Sequence, residues 1–267
     1  MMLMQSGEGG FAPDRIVYAV GDIHGRADLL ERLLGRIRKD RDQREPGAGD
    51  APPLLVFLGD YVDRGAESRR AIDLLLELAG DPGFECRFLA GNHEDAMLDF
   101  LDGKIVGQRW AEHGGDATLR AYGVTVPYAA APPEAWAQAQ ARFMDAVPAE
   151  HIAFLRGLEL MVTVGKLAFV HAGIRPGIPL ADQTRRDLLW IRSQFLDVPH
   201  SGDGLIVHGH TPGEEVYGAP GRLCLDTGAY MSGRLSAAVF AGETIDLIDT
   251  FSLGARPLER AMFSRAD

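Results

Sequence analysis

A chain of 267 residues with 46% hydrophobic content is long enough to bury one large core, which excludes a wholly disordered protein. Its formal net charge of −11 offers no basic surface for nucleic acid and no polybasic membrane anchor, although an acidic protein can still gather positive charge by binding metal ions. Cys86 and Cys224 are the only cysteines, each inside a strand-like apolar run, so reduced thiols are expected rather than a disulfide framework.

No stretch approaches the roughly 18 apolar residues of a membrane span. Residues 1–11 lack the basic start and apolar body of a signal peptide. The expectation is a soluble, cytoplasmic protein, taken as a monomer, with a loose 1–14, one domain over 15–253 and a tail over 254–267.

Taken in order, residues 16–20 are nearly all apolar and read as a strand buried on both faces, as parallel strands in α/β folds are. The strand runs into Gly21-Asp22-Ile23-His24-Gly25, where the chain can turn sharply and point an Asp and a His into one crevice. Alone, that loop reads equally well as an ordinary corner with an Asp capping a helix. Leu29, Leu30, Leu33, Leu34 and Ile37 predict a helix over 28–39, and the charged, Gly- and Pro-rich 41–53 is an exposed loop. A second strand, 54–58, ends in Gly59-Asp60-Tyr61-Val62-Asp63-Arg64-Gly65 ahead of a helix over 67–79. A third, 85–90, ends in Gly91-Asn92-His93-Glu94 ahead of a helical stretch over 95–101. Three strand-loop-helix units in succession describe an α/β domain with its site on one edge of the sheet. Core building accounts for the strands and helices, but not for Asp, His, Asp and Asn at their tips.

Residues 108–156 read as a helical insertion beside that site: 110–122 with a Gly114-Gly115 break, then helices over 134–146 and 149–156. Trp136 and Phe143, seven apart, are core packing. The pattern then turns β-rich. Residues 158–164 and 167–170 form a hairpin around Gly165-Lys166, ending in His171-Ala172-Gly173, and 205–207 leads into His208-Gly209-His210-Thr211-Pro212. Closing strands are expected at 222–225, 235–240 and 244–248, and no repeat period recurs.

The strand ends thus collect Asp22, His24, Asp60, Asn92, His171 and His210. Oxygen and imidazole donors without a thiol suit Mn, Fe, Zn or Mg rather than a structural cysteine site. Six such groups exceed what one open ion needs. Two ions about 3.5–4 Å apart, sharing one carboxylate and a hydroxide, would use them all.

These residues carry a resemblance. The segments Gly21-Asp22-Ile23-His24-Gly25, 59–65, 91–94, His171-Ala172-Gly173 and Gly209-His210-Thr211-Pro212 resemble the ordered signature of PPP-type serine/threonine protein phosphatases, within the calcineurin-like metallophosphoesterase superfamily. The small bacterial and phage lambda-type enzymes are nearest in pattern, and Trp190-Ile191-Arg192 and Asp226-Thr227-Gly228-Ala229 extend it. The resemblance implies an α/β fold, α+β by some schemes: a central β-sandwich of two mixed sheets flanked by helices. It implies that Asp22 and His24 bind a first divalent ion, that Asp60 bridges, and that Asn92, His171 and His210 bind a second. Manganese is the expected activating ion, with Fe, Zn, Ni or Mg as alternatives. A hydroxide between the ions would attack phosphorus directly, His93 would protonate the leaving oxygen, Asp63 would support that imidazole, and Arg64 and Arg192 would hold the phosphoryl oxygens. The implied partner is a phosphorylated protein or peptide.

Plainer readings compete at several positions. Asp63 and Arg64 could be a surface turn pair, and Arg192, near Arg185 and Arg186, a solvated arginine. His208 reads as support for His210, and Glu94 as a first-turn helix residue favoured by the helix dipole. His113, in the insertion near Gly114-Gly115, could touch substrate, and His151 and His200 have no partner pattern; all three read as non-functional. At the level of function, a phosphoprotein phosphatase competes with a symmetrical dinucleoside-tetraphosphate hydrolase, or another small-molecule phosphoesterase, on the same scaffold. A silent binding module is disfavoured because every implied group is present. The form Asp60-Tyr61-Val62-Asp63-Arg64-Gly65 favours the phosphatase. Asp226-Thr227-Gly228-Ala229-Tyr230 stands where the eukaryotic enzymes carry an inhibitor-contacting loop, so toxin sensitivity and regulatory-subunit docking are not expected to carry over.

Overall fold

The computed structural model describes residues 15–44, 51–198, 202 and 204–259. The termini beyond these limits, the centre of the loop after the first helix, and His200 lie outside the described residues. Strand β1 (Val17–Val20) is buried along its whole length and its side chains alternate between two cores. Val17 and Ala19 face a second sheet, whereas Tyr18 and Val20 face helices. The same alternation in β2 (Leu54–Phe57) sends Leu54 and Val56 one way and Leu55 and Phe57 the other. An all-apolar strand is therefore required here, and the predicted double burial is observed.

Helices α1 (Ala27–Gln43) and α2 (Ser68–Ala79) cover the outer face with their leucine and isoleucine stripes. Strand β3 (Glu85–Phe88) pairs with β2 in parallel, in register Leu54↔Glu85. Helix α3 (Asn92–Leu101) begins earlier than expected, so Asn92 and His93 stand in its first turn. After α4 (Gly107–Trp110) the chain runs through a turn, Ala111–Gly115, that kinks at the non-helical Gly114, the expected break, before α5 (Asp116–Ala121). Helices α6 (Pro133–Ala146) and α7 (Ala149–Arg156) complete the insertion. Phe143 of α6 packs with Trp110 and Phe100, ring centroids 5.6 and 6.1 Å away, so the insertion shares the domain's core.

The second sheet opens with β4 (Met161–Val164) and β5 (Leu167–Val170), the predicted hairpin. Short helices α8 (Arg185–Trp190) and α9 (Ser193–Leu196) follow, then β6 (Leu205–His208), β7 (Tyr217–Ala219) and β8 (Arg222–Cys224). Its strand order is β4-β5-β6-β8-β7. The chain then returns through α10 (Ala229–Ser232) to the first sheet as β9 (Ser236–Ala241), β10 (Thr244–Asp249) and β11 (Arg256–Pro257), giving the order β11-β10-β9-β1-β2-β3. Both sheets mix parallel and antiparallel pairs. Val17, Val56 and Phe240 meet Phe169, Val207 and Leu223 between them. The result is the expected α/β sandwich of two mixed sheets flanked by helices. Of the closing strands, β8 belongs to the second sheet and only β9 and β10 to the first. No helix among the described residues is long and apolar enough to cross a membrane.

Candidate metal centre and active site

The parallel strands β1, β2, β5 and β6 all end at one edge of the sandwich, and their exit loops converge there. The loops are held to one another by the backbone: the N–H groups of Ile23 and His24 both donate to the Asp60 carbonyl, at 3.1 and 2.8 Å, and Gly209 donates to the His171 carbonyl at 2.8 Å. Among the described residues, the non-glycine residues with positive φ are His24, Asp60, Asp63, Arg64 and His210, at 48°, 52°, 72°, 68° and 66°. Each such conformation costs on the order of 1–3 kcal/mol and persists only where the surroundings dictate it. All five are residues that the sequence singles out for chemistry, so the strain is concentrated on the loops that present donors. Gly209 is required for a different reason: a Cβ there would lie 1.9 Å from Asp22 Oδ1.

Asp60 sits at the centre. Its Oδ2 lies 3.4 Å from His24 Nε2, and its Oδ1 lies 3.4 Å from His171 Nε2. Asn92 Oδ1 lies 3.0 Å from His171 Nε2 and 2.8 Å from His210 Nδ1. The backbone orients these rings: His24 Nδ1 donates to the Val62 carbonyl at 3.0 Å and His171 Nδ1 to the Leu58 carbonyl at 2.8 Å. In each neutral ring the lone pair on Nε2 then points at carboxylate or amide oxygens. Acceptors crowd together where a cation would separate them. Spacings near 3 Å are also the edge expected between ligands at right angles on an ion with bonds of about 2.0–2.1 Å.

The electrostatics agree. Burial drives His24 down to about 3 and His210 to about 2, and holds His171 below its ordinary value, so all three rings are neutral donors. Asp60 is equally buried, yet the imidazoles of His171, His93 and His24 hold its carboxyl well below the usual range. Burial together with the charges of Asp226 and Asp60 raises Asp22, and burial with Asp60 pushes Asp226 up to about 6. Three buried carboxyl groups share one small volume, and Asp22 Oδ1 and His210 Nε2 have no hydrogen-bond partner among the described residues. A divalent ion would relieve both conditions. His24, Asp60 and His93 each bring a donor atom within 4.8 Å of one another, as do Asp60, His171 and His210. Asp22 stands outside both groups, with its Oδ2 taken by the His210 N–H at 3.0 Å.

Beside this cluster, His93 Nδ1 lies 2.7 Å from Asp63 Oδ2, leaving Nε2 facing inward, 3.9 Å from Asp60 Oδ2. Burial pulls His93 down, but the charge of Asp60 and the hydrogen bond and charge of Asp63 outweigh it and raise the imidazole to about 9. Asp63 is fully buried and is gripped by the insertion: Trp110 Nε1 donates to Oδ2 at 2.8 Å, and Thr118 Oγ1 to Oδ1 at 2.6 Å. Ser68 and Thr118 in turn accept from the Asp63 N–H. A surface turn pair is thereby ruled out for Asp63. Arg64 places Nη1 3.0 Å from His24 Nε2 and Nη2 3.2 Å from His93 Nε2, with its guanidinium 4.8 Å from the Tyr230 ring centre. Arg64, His93 and Arg192 border a cavity of about 410 Å³, together with Asp95, Arg109 and Trp190.

Nine of the ten sequence-predicted positions therefore meet in the buried cluster and its margin, and Arg192 stands at the cavity. The sequence reading understated Glu94. It does occupy the first helical turn, but its carboxylate accepts from the N–H groups of Asp60, Tyr61, Val62 and Gly91, at 2.8, 2.7, 3.2 and 2.9 Å. Burial, then the charge of Asp60, pushes its carboxyl up to about 8, but four donors with no acceptor among them favour the ionised form. Glu94 thus shapes the loop that carries Asp60. Trp110 and Thr118 were missed altogether, because nothing in their spacing reveals a contact with residue 63. His151 does have partners, Tyr122 and Asp73 at 2.8 and 2.9 Å, remote from the cluster. His208 is buried against Phe195 with Nδ1 3.0 Å from the Gly209 carbonyl.

Residues 16–243 match the calcineurin-like phosphoesterase family. The chain is 26% identical to the asymmetrical bis(5'-nucleosyl)-tetraphosphatase of Anoxybacillus flavithermus over 245 residues, covering 82% of this chain and 87% of the relative. It is 29% identical to serine/threonine-protein phosphatase 1 of Salmonella typhimurium over 229 residues, covering 84% of this chain and 91% of the relative. A solved cold-active protein tyrosine phosphatase superposes with a TM-score of 0.61 at 17% identity, over 96% of this chain and 83% of that one, a likeness of fold. With a match that takes in the whole second sheet, strands β1, β2, β3 and β9 of the first and every converging loop, the chain belongs to the calcineurin-like phosphoesterases, hydrolases whose family uses divalent metal ions.

Proposed function

We propose that this phosphoesterase is a phosphoprotein phosphatase, acting on phosphoserine and phosphothreonine monoesters with phosphotyrosine as a further substrate. The observation that carries the reading is the Asp63–His93 pair, 2.7 Å apart, with His93 Nε2 turned toward the donor cluster, 3.9 Å from Asp60 Oδ2. Asp22, His24 and Asp60 would hold one divalent ion, and Asp60, Asn92, His171 and His210 the other. Bound there, the ions supply Lewis acidity, which acidifies water and offsets phosphoryl charge.

The remaining work falls to side chains. Arg64 and Arg192 present planar guanidinium groups to the phosphoryl oxygens, for which a bidentate fork is better suited than an ammonium. Water adds to phosphorus in line, the ester P–O bond breaks, and the proton held on His93 Nε2 passes to the departing oxygen. The products are the free hydroxyl and inorganic phosphate. Asp63 accepts from Nδ1 of His93 before and after that transfer and so keeps the ring in place, and Trp110 and Thr118 keep Asp63 from turning away.

A second reading, hydrolysis of dinucleoside polyphosphates, is favoured by the likeness to the asymmetrical tetraphosphatase. The phosphatase reading is supported by Asp60-Tyr61-Val62-Asp63-Arg64-Gly65 and by the likeness to the Salmonella enzyme. Parallel assays of phosphoserine, phosphothreonine and phosphotyrosine peptides against diadenosine tetraphosphate, with Mn supplied, decide between them. Faster turnover of the peptides is expected. A strong preference for the nucleotide would reverse the ranking, and hydrolysis that persists under a chelator would overturn both.

A further inference from the structure

The cavity next to His93 carries a charge pattern that attack on a phosphoryl group does not need. Two of its carboxylates are already matched: Asp95 pairs with Arg185 at 2.7 Å and Asp99 with Lys104 at 3.1 Å. Arg109 and His113 line the same cavity, and neither side chain has a hydrogen bond or ion pair among the described residues. Both side chains are exposed, so a solute entering the cavity can reach them.

The backbone that bears them is anchored on both sides. Trp110, adjacent to Arg109, is bonded to Asp63 at 2.8 Å, and Gly114, adjacent to His113, accepts the Arg64 N–H at 3.0 Å. Gly114 has a φ of 108°, and a Cβ there would lie 2.6 Å from Arg64 Cγ. The turn bearing both side chains is therefore seated directly on the loop that holds Asp63 and Arg64.

We infer that Arg109 and His113 form a subsite for a second anionic group of the substrate, a phosphate or carboxylate on the leaving-group side of the scissile bond. The inference rests on the reading above, because it is His93 that makes this cavity the leaving-group side. Trp190, 47% exposed at the same cavity, gives the leaving group a flat apolar wall. Two sources share this chemistry: an acidic or second phosphorylated residue flanking a phosphoserine, and the next phosphate of a nucleoside polyphosphate.

The test compares wild type with Arg109→Gln, Arg109→Lys and His113→Gln, as full-length protein with Mn, on four substrates. These are p-nitrophenyl phosphate, a phosphoserine peptide with flanking Glu, its Gln counterpart, and diadenosine tetraphosphate. Loss of a charge-assisted contact predicts that Arg109→Gln lowers the kcat/KM preference for anionic leaving groups over p-nitrophenyl phosphate by about tenfold, chiefly through KM. Arg109→Lys should recover most of it. The arm showing the larger fall, Glu peptide or nucleotide, identifies the source. Preferences unchanged in both arms, in Arg109→Gln and in His113→Gln, would overturn the subsite. A wild type inactive on all four would overturn the phosphoesterase reading, and the subsite with it.

Discussion

Two regions build this site by opposite means. The strand tips deliver Asp22, His24, Asp60, Asn92, His171 and His210 because parallel strands must end at the same edge, and the loops hold His24, Asp60 and His210 in strained backbone conformations. The helical insertion delivers no donor to the cluster. It clamps Asp63 through Trp110 and Thr118, and it brings Arg109 and His113 to the cavity. The first region places groups by topology and the second by side-chain contacts across the fold. Holding metal and moving a proton should therefore be separable.

The predictions probe that separation. Asp60→Asn should have the largest effect, since it removes the carboxylate common to both donor groups, and activity should fall by at least about a thousandfold in a phosphomonoester assay. His93→Asn should lower kcat by roughly 10²–10⁴-fold, the usual worth of a general acid, with metal content unchanged by elemental analysis. Loss of metal along with turnover would instead make His93 a ligand in place of Asp22. Glu94→Gln places an amide against four N–H donors, and a chemical denaturation curve should show a loss of about 1–3 kcal/mol, with metal affinity reduced. Equal stability would mean that the carboxylate does not shape the Asp60 loop. Trp110→Phe should be mildest: losing one hydrogen bond to a charged group predicts about a tenfold fall in kcat with metal content and KM unchanged. A matching fall in metal content would dissolve the distinction between the two regions.

How much was legible in the sequence follows the same division. Apolar runs, glycines and tip residues are local signals, so the strands and the polar groups at their tips could be read directly, whereas the sandwich of two mixed sheets came through the resemblance. Asp63 and His93 were legible only through a resemblance, since their contact spans 30 residues of sequence. Glu94 shows the limit of a local reading: its place in the first turn was right, but three of its four backbone partners come from another loop. Trp110 is a buried core aromatic, with the Phe100 and Phe143 rings packed beside it. Its indole N–H does the additional work, and periodicity carries no information about where one polar atom points. The Gly114-Gly115 break was a local signal as well, and it is observed as a kink at Gly114, whose φ of 108° is not helical.

The central claim is that one carboxylate, Asp60, organises a two-ion centre to which the insertion contributes positioning alone. Counting divalent ions per chain in wild type and Asp60→Asn, after reconstitution with Mn and removal of excess metal, tests it most directly. The account predicts two ions in wild type and fewer than one in the variant, with the fold retained by circular dichroism. An Asp60→Asn protein that still carried two ions per chain would contradict it.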